Sequence, residues 1–488
     1  MNRTEFLRRS AGVAVVAALP AWTRSAALAA SDQPVHALAR LLDGEVVTPA
    51  SPAYATARQL WDTRFDSLHP RAIAYCANAA DVQRTIRWGR AHRIRIVARS
   101  GGHSYGGYSS GNGVVVADLS RLDSVAATGG QATVGAGAKL IDVYSSLAAH
   151  GVTVPGGSCA SVGIAGLALG GGVGYSSRLL GTTADAMRRL RIVTADGSLL
   201  TCDATHDADL FWACRGGGGG NFGIAVDFTF RTAPVTTVSL YEIEWPWTQA
   251  AQAVSAWQAF APHAPDQLFS VCDLIATAAA GPAHVVSAGQ FFGSESALTS
   301  LIQPLAATGT PTRVKTQTLT YFEAALHWAG CRDAGTCTDR RLTFKAKSDY
   351  VRTPLPAPAV DALVAAVAAR RGQGPGAIYL DAYGGAINRV AMGATAFVHR
   401  NELFSIQSTA QWPAGSSSAA ARSVAWLESL HAQLHPAVSG FAYQNYIDPQ
   451  LAGWAEAYYG SNLPRLQAVK RRYDPTNAFR FAQSIPRR

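Results

Sequence analysis

Three glycine-rich segments are the places where this chain could do chemistry: residues 99–109 (RSGGHSYGGYS), 156–174 (GGSCASVGIAGLALGGGVG) and 216–223 (GGGGGNFG). Glycine lets backbone N–H groups approach a pyrophosphate closely and adopt positive φ. Three such loops, each beside a predicted strand, suit a large dinucleotide lying across all of them. The third contains G-x-G-x-x-G at Gly218, Gly220 and Gly223. The Rossmann fingerprint needs a strand before it and a helix after it. Here a strand is predicted to follow, at 224–230, so that reading fails on context.

Seven cysteines are present, at 76, 159, 202, 214, 272, 331 and 337. An odd number leaves at least one unpaired or used in chemistry. Cys331 and Cys337 bracket the short loop CRDAGTC and are the expected disulfide. There is no C-x-x-C and no Cys/His metal spacing, so no metal site is expected.

The elements that must position these loops follow from the hydrophobic pattern. Residues 78–91 predict a helix, with Val82 and Ile86 on one face, and Ile94, Ile96 and Ala98 alternate as a strand running straight into the first glycine loop. Short strands are expected at 114–117 and 132–134. Leu140, Val143, Tyr144 and Leu147 have helical spacing, stopped by Gly151. Residues 190–201 read as a hairpin around Ala195-Asp196-Gly197. Beyond residue 235 the texture changes to strands (285–291, 378–383, 403–409) alternating with Ala-rich helices (250–260, 360–370, 417–434). This predicts an antiparallel sheet backed by helices. A tail helix carries Leu463, Leu466 and Val469 on one side.

At 488 residues the chain is two or three domains, or one large two-part enzyme. Its 48% apolar and 15% charged content excludes disorder. No apolar run reaches the ~20 residues of a membrane span. The formal charge is +10, of which residues 1–29 contribute +3. The remaining Arg and Lys are scattered rather than interleaved with aromatics, so a nucleic-acid partner is not expected. Residues 1–29 read as a leader: Arg8-Arg9, an apolar stretch at 11–22, and Ala27-Leu28-Ala29 as a cleavage site. They resemble a twin-arginine signal imperfectly. In RTEFLR (3–8) Thr4 replaces the second Arg, and Arg8-Arg9 lacks the following Phe-Leu. Export to the periplasm or outside the cell is expected, with a mature start near Ala30 and the export route open.

Four segments together match a known pattern: the loops at 99–109 and 156–174, DLFWACRGGGGGNFG at 209–223, and a tail in which Tyr443-Gln444-Asn445-Tyr446 precedes YYGSNLPRLQAVKRRYDPTNAF, ending at Phe479. In order and spacing the chain resembles the vanillyl-alcohol oxidase type of flavin oxidoreductase, with its PCMH-type FAD-binding domain. Within that type it is similar to the berberine bridge enzyme-like group, which includes glucooligosaccharide oxidases and aclacinomycin oxidoreductase. The resemblance implies an α+β fold. A two-lobed FAD-binding domain would be built from residues 30–235 and the returning segment 438–488. Residues 236–437 would be an inserted substrate domain whose antiparallel sheet, backed by helices, roofs the flavin.

The same resemblance assigns roles. His103 matches the histidine joined to the flavin 8α-methyl and Cys159 the cysteine joined to C6. Imidazole and thiolate are nucleophiles able to add to an electron-poor isoalloxazine. Arg99, Ser100, Gly101, Gly102, Ser104 and Gly107 belong to the loop expected to wrap the pyrophosphate. Ser158, Val162, Gly163 and Gly166 are expected along the ring. Asn221, Gly223 and Ile224 are expected at the ring or ribityl chain. Many relatives carry Gly-Gly-His where this chain has Ala165-Gly166-Leu167, so contacts there are expected to differ. Val162, three residues after the cysteine, leans towards molecular oxygen as electron acceptor. Tyr443 matches the family's catalytic tyrosine, which removes the hydroxyl proton as hydride leaves for flavin N5, with Asn445 positioning it and Tyr446 beside the cofactor. Tyrosine, with a pKa of ~10, needs a cation or hydrogen bonds to its phenolate to act as a base. Asp381 and Tyr383 are candidate partners. Gln407, Thr409 and Gln411 share one strand face and suit a hydroxylated small molecule. The implied reaction is oxidation of an alcohol carbon of a sugar, glycoside or polycyclic substrate. The alternatives are a dehydrogenase with another acceptor and a catalytically silent flavin-binding protein.

Overall fold

The structure, a computed structural model, describes residues 35–278, 281–337 and 340–488. The predicted leader lies outside the described residues. The chain begins with a four-stranded sheet, ordered β1-β2-β4-β3, from β1 (Val46–Val47), β2 (Ala72–Tyr75), β3 (Ile96–Arg99) and β4 (Val115–Asp118). The helix Ala79–His92 connects β2 to β3, and its entry is fixed by the Asn78 side chain accepting from the Asp81 N–H. Val82 and Ile86 are buried as their spacing predicts.

The strands β5 (Val125–Thr128), β6 (Gln131–Gly135), β7 (Val152–Thr153), β8 (Met187–Val193), β9 (Leu199–Cys202) and β10 (Ile224–Arg231) follow. Five of them form an antiparallel sheet, β5-β6-β10-β8-β9, while β7 pairs with β11 (Ala233–Pro234). The predicted hairpin is β8–β9, and β10 follows the third glycine segment directly, without a helix.

A seven-stranded antiparallel sheet then runs β15-β12-β14-β13-β17-β18-β16. Its strands are β12 (Thr237–Trp245), β13 (Leu268–Ala276), β14 (His284–Phe291), β15 (Arg313–Thr320), β16 (Phe344–Val351), β17 (Gly376–Ala382) and β18 (Phe404–Gln411). Four of them, β12, β13, β15 and β16, are not among the strands the sequence pattern predicts. Helices Ala250–Phe260, Glu295–Ala306, Ala357–Arg370 and Ser417–Leu434 pack on this sheet. They bury Trp257, Leu298, Leu363 and Leu430 in its core. The helix predicted at 360–370 starts three residues earlier, where Pro358 suits a first turn whose N–H groups have no intrahelical partner.

The tail packs on the first core: Leu463, Leu466, Val469, Phe479 and Ile485 are buried there with Val82, Val134, Leu190 and Phe228. The fold is α+β, as expected. No helix among the described residues is long and apolar enough to cross a membrane.

Candidate active site

A cavity of about 610 Å³ is lined by residues from the glycine loops, the seven-stranded sheet and the tail. Its first wall is the loop after β3. Gly101 has no room for a side chain: an added Cβ would fall 2.3 Å from the Gly163 backbone nitrogen, so the first and second glycine segments touch backbone to backbone. Gly102 has φ +73°, which L side chains rarely adopt. The Ser100 hydroxyl donates to the Ala136 carbonyl at 2.6 Å. His103 stacks on Trp61, with centroids 4.8 Å apart, and its Nε2 lies 2.6 Å from the Ser161 Oγ. That bond joins the histidine loop to the loop carrying Cys159, two residues before Ser161.

The second loop is anchored by the helix Leu140–Ala148. The N–H groups of Leu140 and Ile141, which have no partner within their own helix, donate to the carbonyls of Val162 and Ala160 at 3.0 and 3.1 Å. Tyr144 donates to the Gly157 carbonyl at 2.7 Å. Cys159 is exposed at the cavity, whereas Cys76, Cys202, Cys214 and Cys272 are buried. Burial pushes the Cys76 and Cys202 thiols up to about 12 and the other two well above the ordinary value, which keeps them unreactive. Cys331 and Cys337 form the expected disulfide, with Cα atoms 5.1 Å apart.

Of the residues expected at the cofactor, Ser100, Gly101, Gly102, His103, Ser104, Ser158, Cys159, Val162, Gly163, Gly166, Gly223, Ile224, Asn445 and Tyr446 line the cavity. Arg99, Gly107 and Asn221 do not. Arg99 is buried against Asp118, Nε to Oδ2 2.5 Å, and ties together the ends of β3 and β4. Gly107 leaves room for the Phe65 ring. The Asn221 side chain is spent on structure. Its Nδ2 donates to the carbonyls of Gly217 and Gly218 at 3.0 and 3.3 Å, and its Oδ1 accepts from Ile485 N–H at 2.9 Å. A residue's type did not reveal these internal uses.

Tyr443 is buried, and its hydroxyl accepts from Gly172 N–H at 2.8 Å and from Asn445 Nδ2 at 2.9 Å. Asn445 Nδ2 also donates to the Leu167 carbonyl at 3.0 Å. The two donors occupy the phenol's acceptor positions, so its own proton points elsewhere. Burial raises the Tyr443 phenol to about 12, and the two donors oppose that rise. The expected helpers of the phenolate are thus neutral N–H groups.

The roof is the face of the seven-stranded sheet away from its helices. Asp381, Tyr383, Gln407, Thr409 and Gln411 all line the cavity. The register places Tyr379 opposite Asp273 on one side and Gln407 on the other, and Asp381 opposite Val271 and Ser405. Gln407 Nε2 donates to the Tyr105 hydroxyl at 3.1 Å. Tyr383 shares a 3.1 Å hydroxyl contact with Tyr350. Burial pushes Asp381 up to about 6. Burial also raises Asp273 well above the ordinary carboxylate range, with the Asp381 charge adding to it. Asp273, Tyr379, Tyr105 and Trp61 went unnamed in the sequence. Tyr379 was within reach of the period-two rule, since 379, 381 and 383 share a face, whereas Asp273 lies on β13, a strand the pattern did not predict, and lone aromatics in loops carry no such signal.

The family comparisons agree with this architecture. A model described as FAD binding domain matches residues 70–203, and one described as Berberine and berberine like matches residues 442–486. An uncharacterized FAD-linked oxidoreductase of Bacillus subtilis is 33% identical over 451 residues, covering 91% of this chain and 97% of the relative. Chitooligosaccharide oxidase of Gibberella zeae is 30% identical over 442 residues, covering 85% and 87%. Among solved structures, berberine bridge enzyme-like 1 of Physcomitrella patens aligns with TM-score 0.86 at 31% identity, over 93% of this chain and 99% of that one. Phl p 4, a grass pollen allergen with glucose dehydrogenase activity, aligns with TM-score 0.82 at 28% identity, over 93% and 99%.

Fold and site together define an FAD-dependent oxidoreductase. The chain belongs to the berberine bridge enzyme-like family of FAD-linked oxidoreductases.

The residues present fit FAD. An added Cβ at Gly166 would meet nothing within 4 Å, and at Gly219 it would meet only Leu169 and Gly166 at the edge of contact, so both glycines border open space. At the cavity wall Trp61 Nε1, Tyr108 OH and Gln444 Oε1 are buried without a protein hydrogen-bond partner. A polar-edged ring system with a ribityl and pyrophosphate tail supplies such partners.

Proposed function

We propose that the protein is an exported oxidase. It oxidises an alcohol carbon of a sugar, glycoside or polycyclic substrate, using FAD tethered through both His103 and Cys159. FAD held there would supply the two-electron chemistry, a hydride acceptor for the carbinol carbon whose electrons would go on to molecular oxygen to give hydrogen peroxide. Tyr443 removes the hydroxyl proton, so that the alcohol becomes a carbonyl. Gly172 N–H and Asn445 hold the Tyr443 oxygen and favour its anionic form. Asp381 accepts the substrate hydroxyl when ionised and orients it, and Tyr383 buttresses Tyr443 from the same aromatic cluster. Gln407 and Gln411 meet further substrate hydroxyls from the roof. Ser100, Gly101, Gly102 and Ser104 cradle the phosphates, and Ser158, Gly163, Gly166, Gly223 and Ile224 pack the ring. Residues 30–235 with 438–488 form the FAD domain in this reading, and 236–437 the substrate domain.

The observation that carries the reading is the Tyr443 oxygen, buried and held by two donors at a cavity shared with His103 and Cys159. Val162 at the cavity wall favours oxygen as acceptor. A second reading, a dehydrogenase with another acceptor, is favoured by the likeness to Phl p 4, a grass pollen allergen with glucose dehydrogenase activity. The test is anaerobic mixing with a panel of sugars and alcohols, followed by air. Bleaching of the flavin and rapid return of colour support the oxidase. Persistent bleaching in air gives the dehydrogenase. No bleaching, together with ligand binding, gives a silent binding protein.

A further inference from the structure

We infer that β16 aligns the Tyr443 segment, and that Lys347, Ser348 and Asp448 are positioning residues for proton removal; this rests on Tyr443 being the proton acceptor. The tail segment lies along β16, which is the edge strand of the seven-stranded sheet. Contacts run in strict antiparallel order. Ser439 N–H donates to the Tyr350 carbonyl at 2.8 Å, and Gly440 N–H to Asp349 Oδ1 at 3.1 Å. Tyr443 N–H donates to Ser348 Oγ at 3.0 Å. Lys347 Nζ then bonds Asp448 Oδ2 at 2.8 Å, and Lys345 Nζ donates to Gln450.

The far end of this alignment is an ion cluster. Lys345 and Lys347 have side chains 5% exposed and Asp448 4%. Glu428, from the helix Ser417–Leu434, joins both lysines at 2.7 and 3.0 Å, and Lys345 also lies 3.5 Å from Asp448. Two cations thus face two carboxylates. Glu428 is 41% exposed, but the two lysines and Asp448 are buried, and their desolvation cancels much of the attraction, so the cluster is a costly way to gain stability that apolar replacements often match. It does impose one register. Lys345 and Lys347 point to one face of β16 and Ser348 to the other. The strand therefore grips the segment beyond Tyr443 by charge and at Tyr443 itself by a hydroxyl. Gly172, which donates to the Tyr443 oxygen, belongs to the second glycine loop. The Tyr443 oxygen keeps its place against Gly172 only while the segment keeps its register on β16. Displacement of a reacting group by about 1 Å costs on the order of 10²-fold in rate.

The experiment compares Lys347→Met, Asp448→Asn, Ser348→Ala and Lys347→Arg with Tyr443→Phe, all as FAD-loaded enzymes. Rates are expressed per bound flavin from its absorbance, so that misfolded protein does not count. Lys347→Met and Asp448→Asn are expected to lower kcat at least about tenfold with KM held within about twofold, and to displace the alkaline limb that Tyr443, its phenol pushed up to about 12, should give to the pH–rate profile. Lys347→Arg is expected to recover most of the loss. Ser348→Ala, which deletes one hydroxyl and keeps the ion cluster, is expected to act in the same direction. Unchanged kcat and pH limb in the Lys347, Asp448 and Ser348 variants, with Tyr443→Phe inactive, would overturn this inference alone. A rise in KM without displacement of the limb would overturn it as well. Full turnover by Tyr443→Phe would instead remove the reading on which it rests.

Discussion

The Tyr443 hydroxyl oxygen accepts a hydrogen bond from the Gly172 N–H, 2.8 Å away and 271 residues distant in sequence. The tail of the chain thereby delivers its phenol to the backbone of a glycine loop on the other side of the cavity. Tyr443→Phe keeps the ring and its packing and removes the oxygen. Flavin reduction by substrate should fall roughly 10²–10⁴-fold, the usual share of a general base. Anaerobic stopped-flow mixing measures it, and bound-flavin absorbance should be unchanged.

Asn445→Ala deletes one of the two donors to that oxygen. The remaining donor is Gly172, and burial still disfavours the phenolate. The pH limb assigned to Tyr443 should move upward and kcat fall about tenfold, the loss of one hydrogen bond to a charged acceptor. The pH–rate profile checks both.

Asp381 titrates at about 6 because burial disfavours its charge. Its carboxylate form accepts the hydrogen bond of the substrate hydroxyl in the proposed site and orients it, so kcat/KM should rise with pH through about 6. Asp381→Asn should flatten that limb. The stability effect has the opposite sense. A carboxyl raised in the folded state supports folding below its unfolded value, near 4, and loses that support as pH rises through 6. Wild-type melting temperature should therefore drop across this window more than that of Asp381→Asn.

Lys470 is fully buried, its ammonium donating to Asp474 Oδ2 at 2.7 Å and to the carbonyls of Asn221 and Phe479 at 2.6 and 2.5 Å. Lys470→Met leaves the buried Asp474 carboxylate without its counter-charge, held by the N–H groups of Ala478 and Phe479 alone, and should cost about 3 kcal/mol. Chemical denaturation of the variant should show it, with loss of flavin at lower denaturant.

Much of this arrangement was legible beforehand. The helices 250–260 and 417–434 end where the pattern ends, because their apolar stripes and flanking turns agree. Gln407, Thr409 and Gln411 alternate along β18 and line the cavity. Strand β16 escaped because FKAKSDYV alternates charge with small residues, a pattern that reads as solvated surface. Its lysines are buried only because Glu428 and Asp448, 83 and 101 residues away, neutralise them. The structural use of Asn221 escaped for a similar reason: its Oδ1 accepts from Ile485 N–H in the tail, which no local spacing encodes.

His103 and Cys159 are brought to one cavity by the Ser161 contact and the Gly101–Gly163 approach. The most direct measurement is to denature the purified protein in acid and ask where the yellow colour goes. It should stay with the polypeptide in the wild type and in each of His103→Ala and Cys159→Ala, and leave it in the double variant. Free flavin from the wild type would contradict the account.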